Sequence, residues 1–321
     1  MTRSPHHRAI ALLVGIGLLL GASGGVTYAA FSSTTSNGGN SFAAAPDFVA
    51  PQASASVIAK TTGYLAGSIR QGGTYYVYAN VSDTGNPASG VATVSADVSA
   101  ITTGQTAAAL SAGSFSVNGV SYNYRSASLT ANNPLAAGSR SYTLALTDND
   151  SNSRTQSGFS VTVDNTAPGG ADIQTANGGS IVGRAETSDT VTFTFTEIME
   201  PNSFLAGWTG ASTTVTVRLN QNPSGDRLLI FDAANTTQLP FGSVNLIRLD
   251  YVTASRTFTN STMVQSGATI LITLGTPSGA TTTAAGTGNM TWPPSATATD
   301  AAGNACTITT ITESGAADPE F

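Results

Sequence analysis

The chain has 321 residues and a formal net charge of −6, with 9 % charged and 40 % hydrophobic residues. Nucleic-acid binding needs clustered cations that displace counterions from phosphate, but lysine occurs once and the arginines are scattered, so we expect no nucleic-acid partner. The 34 glycines and the many Ser, Thr and Ala residues favour a folded β protein over a disordered chain.

Few side chains are available for catalysis. Both histidines, His6 and His7, lie in the first ten residues, and Cys306 is the single cysteine. Without the first residues, the chain therefore lacks the parts of a Ser–His–Asp triad, a Cys–His dyad or a His/Cys zinc site. We predict that the protein is not an enzyme. Cys306 is expected to be buried as a small hydrophobe, with an intermolecular thiol as the alternative.

Residues 1–29 have the pattern of a signal peptide. A basic start is followed by an apolar run over residues 9–22, and Thr27 and Ala29 fit the small-residue rule for cleavage before Ala30. The alternative is an uncleaved membrane anchor from Ala9 to Phe31. Cleavage would leave no membrane span after the leader and would place the protein outside the cell or at its surface.

Residues 24–44 carry a more specific pattern at this junction. The residues that define it are Gly25, Thr27, Tyr28, Ala29, Ala30, Phe31 and Phe42. This stretch resembles the processed N-termini of bacterial TasA/camelysin-type fibre proteins, whose leaders are removed by SipW-type signal peptidases. The resemblance implies export and assembly at the cell surface. We expect residues 30–49 to form an extended mature N-terminal segment.

From about residue 50 the sequence contains short alternating patterns that predict strands. In residues 141–147, Tyr142, Leu144 and Leu146 share one face. The same period of two occurs in residues 159–163, 190–196, 213–219 and 269–274. Alternation with β-branched residues, interrupted by Gly, Asn and Pro, is typical of antiparallel strands in sandwiches. No amphipathic helix of ten or more residues is predicted after the leader.

The strand patterns divide into two units, residues 50–166 and 167–321. Between them lies DNTAPGG (164–170), where a proline that cannot donate to a ladder precedes two glycines. The stretch VTVDNTAP resembles the junctions of tandem bacterial immunoglobulin (Ig)-like repeats. Residues 190–204 and 297–304 resemble parts of S-layer-type bacterial Ig-like domains. These resemblances imply an all-β fold of two tandem immunoglobulin-like β-sandwich domains.

Glu197 and Glu200 stand close together at the end of a predicted strand. Glycoside hydrolysis needs two carboxyl groups that face a sugar, about 5 to 9.5 Å apart, and the spacing of this pair does not establish such a cleft. Pro201 disfavours a helical conformation at Glu200 and ends strand pairing. We therefore expect a sandwich rim and a turn, with an unburied carboxylate that accepts backbone N–H groups.

One hairpin is a candidate calcium site. In DNDSNS (148–153), Asp148, Asp150 and Asn152 offer the hard oxygen ligands that Ca²⁺ prefers. The alternative is a plain turn, since Asn and Asp favour turn geometry by themselves. Asp300 and Asn304 in DAAGN suggest the same comparison, and the two hairpins form a weak internal repeat. No other cofactor is predicted.

Two single residues have competing interpretations. Lys60 is the only lysine, and we expect it to be exposed; the alternative is a Lys–Asn cross-link of the kind that some surface Ig-like domains carry. Trp208 is expected to pack in the core or at the rim, and the alternative is that it stacks on a sugar.

These features predict a secreted or cell-surface, non-enzymatic structural or adhesive protein that self-assembles in an extracellular matrix or layer. Its partners would be further copies of itself, or other surface proteins or glycans. Residues 30–48 could add as a strand to the open sheet edge of a neighbouring subunit. The alternative is an extracellular module that binds glycans or proteins. Because sandwich folds serve many functions, both interpretations rest on fold analogy and export.

Overall fold

The computed structural model describes residues 46–321, which form two β-sandwiches and one helical turn. The all-β prediction is confirmed. The predicted signal peptide and residues 30–45 of the predicted N-terminal segment lie outside the described residues. Residues 46–321 contain no helix that is both long enough and apolar enough to span a membrane.

The first sandwich contains nine strands. They are β1 (Gln52–Lys60), β2 (Ser68–Ile69), β3 (Thr74–Ser82), β4 (Val91–Asp97), β5 (Ala108–Val117), β6 (Val120–Ser126), β7 (Leu129–Thr130), β8 (Gly138–Asp148) and β9 (Ser153–Val163).

Hydrogen bonds connect these strands in the order β1-β3-β6-β5-β4-β8-β9-β2, and β7 pairs with β3. Strand β5 pairs with β4 at Ala108 and Ala109 and then with β6 from Leu110 onwards, so it passes from one layer to the other. The short β2 runs parallel to β9, whereas the other pairs of this sandwich are antiparallel.

The apolar residues that alternate along the strands form the first core, as predicted. Tyr142, Leu144 and Leu146 of β8 are all buried in it. On β3, Tyr75 and Val77 face the same core. Successive side chains of a strand point to opposite faces, so one apolar residue in two is enough to fill the space between the layers.

The second sandwich contains ten strands and the helical turn. They are β10 (Gly170–Ala176), β11 (Thr190–Phe195), α1 (Pro201–Phe204), β12 (Thr213–Asn220), β13 (Arg227–Asp232), β14 (Val244–Asn245), β15 (Arg256–Ser266), β16 (Thr269–Thr273), β17 (Thr276–Pro277), β18 (Thr291–Trp292) and β19 (Ile311–Thr312). The predicted division between residues 166 and 167 falls in the link between β9 and β10.

The strand order of the second sandwich is β10-β11-β16-β15-β12-β13-β14-β18-β19, and β17 pairs with β15. The two ends of this path meet beyond β19, where the Ser314 backbone N–H donates to Asp172 Oδ1 of β10 at 3.0 Å. An aromatic group fills the core: the Phe193 ring lies 4.7 Å from Phe241 and 5.0 Å from Trp292, between centroids.

Two single-residue predictions concern this sandwich, and both are confirmed. Cys306 is buried and free, as a small hydrophobe. Trp208 is also buried, and its indole Nε1 donates to the Ala211 carbonyl at 2.6 Å. Its polar edge therefore has a partner within the protein, as a buried tryptophan requires.

Candidate functional site

Three aspartates from distant parts of the chain meet at one end of the first sandwich. Asp47 precedes β1, Asp83 follows β3 and Asp148 ends β8, and one carboxylate oxygen of each lies within 4.8 Å of the others. We name these residues the first carboxylate cluster. Asp47 and Asp148 are buried. Across residues 46–321, no lysine or arginine forms an ion pair with any of the three.

The hairpin after β8 fixes two members of the first carboxylate cluster, Asp148 and Asp47. Asp148 Oδ1 accepts the Asn152 backbone N–H at 2.8 Å, and Asn152 Nδ2 donates to Asp148 Oδ2 at 2.8 Å. The same amide donates to the Asp47 carbonyl oxygen at 2.8 Å. Ser151 completes the turn with a φ of 69°, in the left-handed region. The hairpin thus holds the segment before β1 against the end of β8.

The three predicted calcium ligands have different positions. Asp148 belongs to the cluster. Asp150 is exposed and lies outside it, where its carboxylate accepts the Asp47 backbone N–H at 2.9 Å. Asn152 uses its amide nitrogen in the two hydrogen bonds that tie Asp148 to Asp47. Sequence reasoning missed Asp47 and Asp83, because they are distant from Asp148 in the chain and only the folded first sandwich brings the three together.

A second carboxylate cluster, Asp164, Glu197 and Asp300, lies where the link between the sandwiches meets the second sandwich. One carboxylate oxygen of each lies within 4.8 Å of the others. Asp164 precedes β10 as Asp47 precedes β1. Glu197 follows β11, which pairs with β10, just as Asp83 follows β3, which pairs with β1. The acids therefore occupy matching places in the two sandwiches.

The hydrogen bonds of the second cluster repeat those of the first. Asp300 Oδ1 accepts the Asn304 backbone N–H at 2.7 Å, and Asn304 Nδ2 donates to Asp300 Oδ2 at 2.8 Å. The same amide donates to the Asp164 carbonyl oxygen at 3.0 Å. Gly303 has a φ of 94°, matching Ser151. The predicted hairpin repeat is confirmed, and it extends to a whole cluster.

The two clusters differ in their electrostatics. In the first, the backbone N–H of Ser89 lowers the pKa of Asp47, so this carboxylate is ionised at neutral pH. In the second, burial and the nearby charges of Asp300 and Asp164 raise the pKa of Glu197 to about 7. Burial also raises the pKa of Asp300. The second cluster is therefore short of positive charge and can accept a proton or a cation.

The spacing of the carboxylate oxygens in the two clusters, within 4.8 Å, is compatible with a calcium ion. Ca²⁺ binds oxygen at about 2.4 Å, so two ligands on opposite sides lie about 4.8 Å apart. A carboxylate oxygen accepts about two hydrogen bonds. Each oxygen of Asp148 takes one from Asn152 and keeps capacity for a cation. A set made only of carboxylates suits Ca²⁺ or Mg²⁺ better than Zn²⁺.

Beside the second cluster, a buried ion pair joins the sandwiches. Glu200, 2 % exposed, binds the ammonium group of Lys60, whose side chain is 11 % exposed. Glu200 also accepts the backbone N–H groups of Tyr64 at 2.6 Å and Leu65 at 3.1 Å, both from the first sandwich. Its bond from the Asn202 N–H at 3.2 Å caps α1.

This arrangement corrects two expectations. Lys60 was expected to be exposed, but its side chain is mostly buried because the second sandwich covers it and supplies the Ala301 carbonyl at 2.7 Å as a further acceptor. Glu200 was expected to be an unburied rim carboxylate. It does accept a turn N–H, but it is buried because it also holds the first sandwich. Glu197 and Glu200 therefore bind different partners.

Comparisons of the chain with protein-family models, with curated proteins and with solved structures found no match.

Proposed function

We propose that the chain is a non-enzymatic structural or adhesive protein, secreted or held at the cell surface, built from two Ig-like sandwiches that Ca²⁺ stiffens. The observation that carries this proposal is the repeated carboxylate cluster, one copy of which lies at the junction. The signal-peptide pattern of residues 1–29 supports export, and extracellular fluid is where weakly binding calcium sites are filled.

The second cluster is suited to hold the junction. Asp164 lies in the link between the sandwiches, and its backbone N–H donates to the Ile69 carbonyl of the first sandwich at 2.9 Å. Glu197 and Asp300 belong to the second sandwich. A cation bound to all three would tie the link to the second sandwich and offset the burial and the carboxylate repulsion that raise the pKa of Glu197.

The Lys60–Glu200 ion pair supports the same function without a cation. Glu200 binds one ammonium and two backbone N–H groups of the first sandwich, so domain rotation would expose or unpair all of them. A building block of a fibre or layer needs such a junction, because a flexible link would not transmit orientation from one subunit to the next.

Proteolysis of the link tests this proposal. We would digest the full chain with a protease of broad specificity, in Ca²⁺ and in EDTA, and measure cleavage within residues 164–169. We expect Ca²⁺ to slow this cleavage several-fold in the wild type but not in Glu197→Gln. Glu186→Gln removes a glutamate outside both clusters and should behave as the wild type. Equal cleavage in Ca²⁺ and EDTA would rule out the calcium-stiffened junction.

Self-assembly through the N-terminal segment needs its own test. Asp47 belongs to the first carboxylate cluster, so a deletion of residues 30–48 would damage the sandwich together with the proposed strand donor. Deleting residues 30–45 keeps Asp47. Light scattering should then show that the mass of the full chain rises with concentration while that of the deletion variant does not. Unchanged assembly of the variant would rule out this segment as the donor.

A second candidate function is glycan or protein binding, and one surface favours it. Tyr78 and Tyr122 form a separate hydrophobic cluster on the sheet face opposite the first core, with Tyr76 and Phe115 packed against it. The Arg125 guanidinium lies 4.3 Å from the Tyr76 ring centroid and 4.4 Å from that of Phe115. Aromatic faces with a polar neighbour are suited to sugars. Saturable glycan binding by monomer, lost in Tyr76→Ala, would support this alternative.

A further inference from the structure

A third group of carboxylates lies outside the repeated clusters. One carboxylate oxygen of each of Glu313, Asp318 and Glu320 lies within 4.8 Å of the others. Glu313 follows β19 directly and is buried, as is Glu320, whereas Asp318 is exposed. No Asp-x-x-x-Asn hairpin contributes to this group. It is therefore not a third copy of the arrangement that the two sandwiches share.

One oxygen in this group lacks a partner. Glu320 is 0 % exposed, and its Oε2 accepts the Thr175 hydroxyl at 2.7 Å. Its Oε1 is buried and has no hydrogen-bond partner in the part of the chain that the structure describes. A buried carboxylate oxygen that has lost its water without gaining a donor is costly, so it marks the place of a missing proton donor or cation.

The surrounding contacts hold the carboxylates in place. Glu313 Oε2 accepts the Met290 backbone N–H at 3.0 Å. The backbone N–H of Glu320 donates to the Tyr251 hydroxyl at 2.7 Å. Among residues 46–321, the ion pairs of lysine and arginine involve only Glu200, Glu186 and Asp250. The third group is thus preorganised and has no cationic side chain of the described chain to neutralise it.

We propose that Glu313, Asp318 and Glu320 bind a divalent cation of the oxygen-preferring class, with Glu320 Oε1 as one of its ligands. Oxygens within 4.8 Å of one another suit a cation that binds oxygen at about 2.4 Å. The two buried carboxylates would hold the cation in place. The exposed carboxylate of Asp318 keeps the site open to solvent, so that the cation can enter. The site does not depend on the two repeated clusters or on the function proposed for them.

The competing occupant is a proton. Burial raises the pKa of both Glu313 and Glu320; the charge of Glu313 raises the pKa of Glu320 further, whereas a hydrogen bond with Glu320 lowers the pKa of Glu313. A proton shared between them would satisfy Glu320 Oε1 without using Asp318. Neutralising Asp318 therefore distinguishes the two occupants, because Asp318 is a ligand in the cation site, whereas it affects a shared proton only through its charge.

Equilibrium dialysis of the full chain against Ca²⁺ tests the proposal. Asp318→Asn changes an exposed side chain and should fold normally, while Glu320→Gln keeps an acceptor for Thr175. Both variants should bind one Ca²⁺ fewer per chain than the wild type, and Glu186→Gln should match the wild type. Equal counts in the wild type and Asp318→Asn would overturn the proposal. Glu197→Gln reports on the second cluster separately, so failure at one site is distinguishable from failure at the other.

Discussion

Lys60 of the first sandwich and Glu200 of the second form a buried ion pair between positions 140 residues apart in the chain. The pair stands next to the second carboxylate cluster, because Lys60 also binds the Ala301 carbonyl, one residue after Asp300. One end of the second sandwich thus combines a permanent link to the first sandwich with a group of carboxylates that can bind a cation.

Breaking this ion pair should destabilise the protein strongly. Lys60→Met leaves the buried Glu200 carboxylate without its ammonium partner, and we expect a loss of about 3–5 kcal/mol in the free energy of unfolding. Denaturant unfolding monitored by tryptophan fluorescence measures it.

The matched control for this prediction is Arg184→Met. It breaks the Arg184–Glu186 pair, 3.7 Å long, whose side chains are 30 % and 21 % exposed. We expect a loss of about 0–1 kcal/mol there, as for other solvated pairs. Equal effects of the two substitutions would contradict the buried character of the Lys60–Glu200 pair.

The metal-free protein should lose stability as the pH rises from about 4.5 to about 7. The folded-state pKa of Glu197 is raised to about 7 from a usual value of 4.5, so between these values the folded state holds more protons than the unfolded state. Protons then favour folding, and stability falls as they are removed. Since Glu197 is partly exposed, we expect Glu197→Gln to add about 1–2 kcal/mol at pH 8 and little at pH 4.

This prediction is checked by urea unfolding in EDTA across that pH range. The wild type should lose stability with rising pH, and the slope should be shallower in Glu197→Gln, because the raised pKa of Glu320 keeps a slope of the same sign. An unchanged slope in the variant would assign the pH dependence to other groups.

The two repeated hairpins can be compared by exchanging the residues at one matching position, Gly303 and Ser151. Gly303 and Ser151 occupy matching positions with φ of 94° and 69°, where a residue with a side chain is strained. A Cβ at Gly303 would meet nothing closer than 3.6 Å, so the cost of Gly303→Ser is conformational. We expect Gly303→Ser to lose about 1 kcal/mol in the free energy of unfolding and Ser151→Gly to gain a similar amount.

Thermal or urea unfolding of the two variants checks this exchange. Effects of the same sign would contradict the equivalence of the two turns.

Cys306 should be unreactive in the folded protein. It is 3 % exposed, and burial raises the pKa of its thiol to about 11, which leaves little thiolate at neutral pH. Mass spectrometry after iodoacetamide treatment should find no adduct in native protein and complete modification in denaturant. Rapid labelling of the native protein would contradict the burial of Cys306.

The sequence alone predicted the strands and hairpins, because these features depend on a local pattern of residues. Tyr142, Leu144 and Leu146 alternate along β8, and one sheet face had to bury them whatever their partners were. The Asp-x-x-x-Asn hairpins were visible for the same reason. Asp47 and Asp83 were missed because they are distant from Asp148 in the chain, and no local pattern relates the three residues. Lys60 was misjudged because its partner lies on the other sandwich, and no periodicity within a strand reports on that contact.

Calcium binding at the repeated clusters is measured by differential scanning calorimetry of the full chain in Ca²⁺, in Mg²⁺ and in EDTA. A cation that binds only the folded state adds about 2.7 kcal/mol when present at 100 times its Kd. We therefore expect Ca²⁺ to raise the Tm by several degrees over EDTA, and the double variant Asp83→Asn/Glu197→Gln to lose most of this gain. The same Tm in Ca²⁺ and EDTA for the wild type would contradict calcium binding at the repeated clusters.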